Sequence, residues 1–197
     1  VDKDDVKAVA LYWEAADAGD ARAKYNLGVC YANGKGVDKD EVKAAALYRE
    51  AGDAGDARAK YNLGVCYANG KGVDKDEVKA VALYREAADA GDASAKCNLG
   101  ACYKWGKGVD KDVVKAAALF KDAADAGDAT AKRNLGLCYE WGKGVDKDEV
   151  KAAALYREAA DAGNVLAKHN LGRCYELAKG VDKDEVKAAA LYREAAD

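Results

Sequence analysis

Residues 37–72 read VDKDEVKAAALYREAGDAGDARAKYNLGVCYANGKG, and the same string returns with few changes along the whole chain. VDKD stands at Val1, Val37, Val73, Val109, Val145 and Val181, a spacing of 36 residues with no insertion. Five full units (1–36, 37–72, 73–108, 109–144 and 145–180) and a half unit (181–197) account for all 197 residues. A fixed period of this size marks a stacked array in which no unit buries its apolar face alone. The chain is therefore expected to form one repeat domain, 1–197, without an internal boundary.

Each unit reads as two helices. Asp40 is a good N-cap, because its carboxylate can accept a free backbone N–H. The Ala-rich stretch from Glu41 to about Asp53 is helical, and Gly55 supplies a left-handed turn. Asp56 caps a second helix that runs to about Asn69, and Gly70 and Gly72 close it. We call the VDKD-led helix B and the AKYNLG-type helix A. Proline is absent, alanine, lysine, glutamate, aspartate and leucine dominate, and nothing alternates with a strand period. The expectation is an all-α fold of 36-residue helix-turn-helix repeats, about 11 helices in all.

The repeat resembles the SEL-one-like repeat (SLR) family, relatives of the tetratricopeptide α-solenoids. Ala59, Leu63, Gly64, Tyr67, Gly70, Gly72, Val73, Asp76, Lys79, Ala80, Tyr84, Ala87, Ala88 and Gly91 fit that family's pattern, and the match covers the whole chain. Departures are minor: Gly52 replaces an alanine, Phe120 a tyrosine and Ala178 a glycine. The resemblance implies a right-handed α-solenoid whose A helices line a concave surface. It also implies a scaffold or adaptor that assembles protein complexes.

The units can be compared with one another. In helix A the positions that change most form five columns: Arg22/Arg58/Ser94/Thr130/Leu166, Tyr25/Tyr61/Cys97/Arg133/His169, Val29/Val65/Ala101/Leu137/Arg173, Ala32/Ala68/Lys104/Glu140/Glu176 and Asn33/Asn69/Trp105/Trp141/Leu177. At 3.6 residues per turn these columns make one stripe. The unchanged Ala23, Leu27, Gly28, Cys30 and Tyr31, with their equivalents, lie opposite and are the expected packing face. Leu27 and Tyr31 would each contribute about 1.5–3 kcal/mol when fully buried. Aromatic and arginine side chains are common binding anchors. The candidate partner-binding residues are accordingly Arg22, Tyr25, Val29, Asn33, Arg58, Tyr61, Val65, Asn69, Cys97, Trp105, Arg133, Trp141, His169 and Arg173. They are expected to hold an extended peptide or a partner helix; the competing account is that exposed positions drift freely without a ligand. A weaker variable stripe in helix B (Asp5/Glu41/Val113, Val9/Ala45, Tyr12/Phe120, Trp13/Arg49/Lys121, Ala16/Gly52) reads as a solvated, convex face.

Other chemistries find little support. Cys30, Cys66, Cys102, Cys138 and Cys174 share one repeat position. Stacked helices lie about 9–10 Å apart, beyond the roughly 7 Å that a disulfide allows between Cα atoms. They are expected to be buried thiols, which points to a reducing compartment, an exported fragment being the alternative. Cys97, on the variable stripe, is the candidate reactive thiol among the six, although a tyrosine position that has simply drifted is the favoured account of it. No CxxC occurs and His169 is the lone histidine, so neither a zinc site nor a His-based triad is expected. VDKD lacks the remaining ligands of a calcium loop. No metal, cofactor or catalytic residue is expected, and the chain does not read as an enzyme. A net charge of -3 gives no general pull toward nucleic acid, and no apolar run approaches the roughly 20 residues of a membrane span. The expected partner is a protein or peptide. A second copy of the chain, stacking through solenoid ends into a filament or oligomer, is the alternative.

Overall fold

An aspartate before an Ala-rich run decides where most of the helices start, and Asn164 takes that place before the helix that opens at Val165. The computed structural model describes residues 3–196 and places eleven α-helices and no strand among them. They are α1 (Lys3–Asp17), α2 (Ala21–Asn33), α3 (Glu41–Asp53), α4 (Ala57–Asn69), α5 (Glu77–Asp89), α6 (Ala93–Trp105), α7 (Val113–Asp125), α8 (Ala129–Trp141), α9 (Glu149–Asp161), α10 (Val165–Leu177) and α11 (Glu185–Glu194). Odd-numbered helices are the VDKD-led B type and even-numbered helices the A type. Val1, Asp2 and Asp197 lie outside the described residues, so the first VDKD is described only from Lys3.

The helix boundaries follow from capping. Asp40 accepts the Lys43 N–H at 2.9 Å and Asp56 the Ala59 N–H at 3.1 Å, which satisfies donors that the first turn leaves open. Gly70 ends α4 in the left-handed region, with φ 69°. At the corresponding place after α10 stands Ala178, held at φ 54° without the freedom of glycine. The turn back from α2 to α3 is fixed by the Asp40 N–H donating to the Tyr31 carbonyl at 2.9 Å, a bond that recurs from Asp76 to Tyr67 and from Asp148 to Tyr139.

The helices gather into two compact units. The first runs up to Ala95 and takes in Lys107–Val109. Its core joins Val9 and Ala16 of α1, Leu27 and Tyr31 of α2, Ala44 and Tyr48 of α3, and Leu63 and Cys66 of α4. The second comprises Lys96–Gly106 and the chain from Asp110 onward. Its core has one cluster around Phe120, Ala123, Leu135 and Cys138, and another around Tyr156, Ala159, Leu171 and Cys174.

Within each unit the closest packing joins an even-numbered helix to the odd-numbered helix after it. Gly28 faces the ring of Tyr48, and Gly136 faces that of Tyr156. The absent side chain lets a helix backbone rest on an aromatic face. Charge reinforces the same hairpins. Lys24 reaches Glu50, Lys60 reaches Glu86 and Lys132 reaches Glu158, each at 2.7 Å, and Lys168 reaches Glu194 at 3.0 Å. In the remaining hairpin the corresponding pair is Lys96 and Asp122, with an acidic side chain one methylene shorter. Among the described residues that pair forms no bridge within 4.0 Å.

The helix B stripe, expected as a solvated face, is buried or half-buried at most of its positions. Val9, Ala16, Ala45, Gly52 and Phe120 are buried, and only Trp13, Arg49 and Lys121 of its variable positions are exposed. The reason lies in the substitutions themselves. Val for Ala, Phe for Tyr and Gly for Ala exchange small or apolar groups, which a packed interior accepts.

Candidate partner-binding face

The even-numbered helices present the variable stripe, and local packing decides how much of each side chain remains in view. In the first unit Arg22, Asn33, Arg58 and Asn69 are exposed, while Tyr25, Val29, Tyr61 and Val65 are half-buried. Tyr25 leans on the Tyr48 ring with centroids 6.1 Å apart, and the Arg58 guanidinium lies 4.4 Å over its other side. Asp56 holds Arg58 at 2.6 Å. Tyr61 packs on Tyr84 in the same manner, at 6.0 Å. Asn33 and Asn69 turn back on their own helices, donating to the carbonyls of Val29 at 3.0 Å and Val65 at 2.9 Å. This half of the stripe is polar and largely paired.

The second unit differs. Asparagine gives way to Trp105, Trp141 and Leu177, which are 65%, 56% and 53% exposed. Trp105 and Trp141 line one cleft with Lys104, Leu137, Cys138 and Lys143. Lys104 lies 5.2 Å over the Trp105 ring and Lys179 5.5 Å over that of Trp141. His169 is exposed and stacks on Tyr192 at 5.2 Å. Arg133 is half-buried and donates to the side-chain oxygens of Asn170 and Asn134, at 3.5 and 3.4 Å.

Two stripe residues turn inward. Cys97 is buried, with 4% of its surface exposed, and its sulfur accepts from the Asn134 amide at 3.6 Å. Burial, with the charge of Asp128 adding to it, pushes this thiol up to about 11. A reactive cysteine needs a lowered pKa and access. The expectation that Cys97 is the reactive thiol is therefore corrected: a cysteine in a tyrosine column is shorter than its predecessors and sinks into the helix contact. The other cysteines are free thiols as well, all buried except the half-buried Cys102.

The second inward residue is Glu140, only 3% exposed. The Tyr156 hydroxyl donates to it at 2.7 Å, Arg173 Nη2 donates to both its oxygens at 2.6 and 2.8 Å, and Lys179 Nζ lies at 3.6 Å. Arg173 is thus committed to an internal ion pair, which leaves little of its charge for a partner. A signal for this existed in the sequence. Glu140 and Arg173 bring opposite charges to adjacent repeats, in columns where the early repeats hold alanine and valine. One helical register joins them, but reading the stripe as a single exposed surface hid the pair. Where the odd-helix ring lacks a hydroxyl, at Phe120, the same column carries Lys104 instead of glutamate.

Among the described residues no group of three or more His, Cys, Asp and Glu side chains is placed to hold a metal ion, and no helix is long and apolar enough to cross a membrane.

With this geometry in hand, comparison with known proteins places the fold. A model described as the Sel1 repeat matches residues 1–20, 21–56, 57–92, 93–128, 129–164 and 165–197. Its frame opens on an even-numbered helix, in keeping with the packing of Gly28 on Tyr48. The structure is similar to that of the Oxalobacter formigenes Sel1 repeat protein, at 31% identity and a TM-score of 0.84 over 96% of this chain and 82% of that one. It is also similar to c5321, a protective antigen of uropathogenic Escherichia coli with an SLR fold, at 34% identity and a TM-score of 0.83. That likeness covers 94% of this chain but only 40% of the antigen. The immunity protein Pa5087 of Pseudomonas aeruginosa is 26% identical, with a TM-score of 0.67 over 95% of this chain and 72% of its own. No curated protein matches the sequence.

Proposed function

Since the chain belongs to the Sel1 repeat family, whose α-solenoids are generally non-catalytic scaffolds for protein interaction, we propose that it holds a partner protein or peptide on the exposed stripe of its even-numbered helices. The observation that carries this reading is the ladder of Trp105, Trp141 and Leu177. Three large apolar side chains stand more than half exposed on corresponding turns of α6, α8 and α10. Aromatic anchors of this kind supply much of the energy in protein interfaces once water is displaced from them. In the same unit, Arg133 and His169 extend this face with a half-buried cation and an exposed ring. In the first unit, Arg22, Tyr25, Val29, Arg58, Tyr61 and Val65 hold the corresponding positions of α2 and α4 and make that unit's stripe polar and aliphatic.

The chemistry available is recognition. The exposed groups are indoles, an imidazole and arginines, with half-buried phenols and a lysine beside them, arranged along helices, where they are held rigidly and lose little freedom on binding. The test is capture of a partner from the native source by the immobilised wild-type chain and by a Trp105→Ala/Trp141→Ala variant with an unchanged melting curve. Loss of capture in the variant supports the assignment. Equal capture removes it.

A further inference from the structure

The charges around the tryptophan cleft are unbalanced, and the imbalance traces to three positions, 104, 113 and 133, that depart from the first two repeats. The lysine column Lys35/Lys71/Lys107/Lys143/Lys179 follows the glycine turn of each repeat, and the column Asp5/Glu41/Glu77/Val113/Glu149 opens the preceding odd-numbered helix. In the first repeat the two columns meet as an ion pair, and in the second and fifth the lysine acts on the acid at longer range. Lys35 lies 3.3 Å from Asp5; Glu41 and Glu149 are held below the usual carboxylate range first by Lys39 and Lys147, with a smaller contribution from the charges of Lys71 and Lys179. At the fourth place the acid is Val113. Among the described residues, Lys143 has no carboxylate within salt-bridge distance.

Two further cations share the deficit. Lys104 stands where the first two repeats have alanine, and its ammonium lies over the Trp105 ring, 5.2 Å from the centroid. Arg133 has neutral amide oxygens as partners. Burial pushes the Lys104 ammonium below the ordinary lysine range, and the charges of Arg133 and Lys143 press in the same direction. Three like charges thus repel one another beside two exposed indoles, and an anion in the cleft would relieve that repulsion. The cleft itself, about 240 Å³, is lined by Leu137 and Cys138 as well as by the two rings. Its size and lining suit one apolar side chain rather than a run of stacked bases.

We propose that the cleft between Trp105 and Trp141 docks an acidic peptide segment, with one apolar side chain between the indoles and flanking carboxylates on Lys104 and Lys143. This rests on the reading of the even-numbered helices as the binding face and adds the chemistry of what they hold. The probe is a fluorescein-labelled synthetic peptide, Ser-Glu-Asp-Phe-Asp-Glu-Ser, followed by anisotropy with the full chain at about 50 and about 300 mM salt. Binding is expected to weaken with salt and to fall about tenfold or more in Lys104→Glu/Lys143→Glu and in Trp105→Ala/Trp141→Ala. The decisive variant is Val113→Glu, which gives Lys143 the acid its counterparts have. It lines no part of the cleft and is expected to weaken binding about threefold. Circular dichroism melts establish that each variant is folded. Absence of peptide binding to the wild type, indifference to the charge reversal and to Val113→Glu, or tighter binding of an oligothymidylate of equal charge would each overturn the proposal. Capture of the native partner separates the two readings. Capture lost in the tryptophan variant but kept after charge reversal sinks the acidic-peptide proposal and leaves the binding face standing; capture kept in both sinks both.

Discussion

A methyl group added at Gly136 would lie 2.6 Å from Cε1 of Tyr156, whose ring is pinned by its hydroxyl bond to buried Glu140. Neither ring nor helix backbone can yield cheaply, so Gly136→Ala is expected to cost about 1–3 kcal/mol in denaturant unfolding. Tyr156→Phe keeps the packing and removes one bond to a charged acceptor. A loss of about 1–2 kcal/mol is expected, and an unchanged midpoint would show that Arg173 and Lys179 satisfy Glu140 by themselves. Ala178 works in the opposite direction. Its left-handed φ of 54° is strained for an L side chain, so Ala178→Gly is expected to raise stability by about 0.5–1 kcal/mol after the unfolded-state entropy of glycine is deducted. Cys97, raised and buried, should alkylate far more slowly at pH 8 than an unfolded-chain cysteine, and a rate near that of the denatured protein would contradict its placement.

Helix by helix, the capping aspartates tie stability to pH. Asp40, Asp76, Asp112, Asp148 and Asp184 are all held below the usual carboxylate range, first by the backbone N–H of the residue three places on. A carboxyl whose folded value is depressed contributes fully above its unfolded value, about 3.9, and loses that contribution as pH falls through the lower folded value. The melting temperature should therefore hold between about pH 7 and 5 and drop below about pH 4. A Tm unchanged down to pH 2 would contradict the caps. These helix starts were legible in the sequence because an aspartate before an alanine run has few other structural uses. The inward face of the even-numbered helices was legible for a similar reason: Leu27, Gly28 and Cys30 do not vary. Burial of Glu140 and Cys97, and of the helix B stripe, was not. Variation between repeats reports tolerance, and a core tolerates Val for Ala or a new Glu–Arg pair as readily as a surface tolerates drift.

At the scale of the molecule, one 36-residue pattern repeats without insertion and packs an even-numbered helix on the next odd-numbered one. The stripe it exposes is polar and internally paired in the first unit, aromatic and cationic in the second. Contact with a partner is therefore expected to concentrate on α6, α8 and α10 rather than on the odd-numbered helices between them. The most direct measurement is site-specific photo-crosslinking, with benzoylphenylalanine in place of exposed Trp141 on α8 or of exposed Lys121 on α7, in the presence of extract from the native source. Adducts from position 141 and none from position 121 are predicted. Adducts from position 121 alone would mean that the binding face lies on the other set of helices.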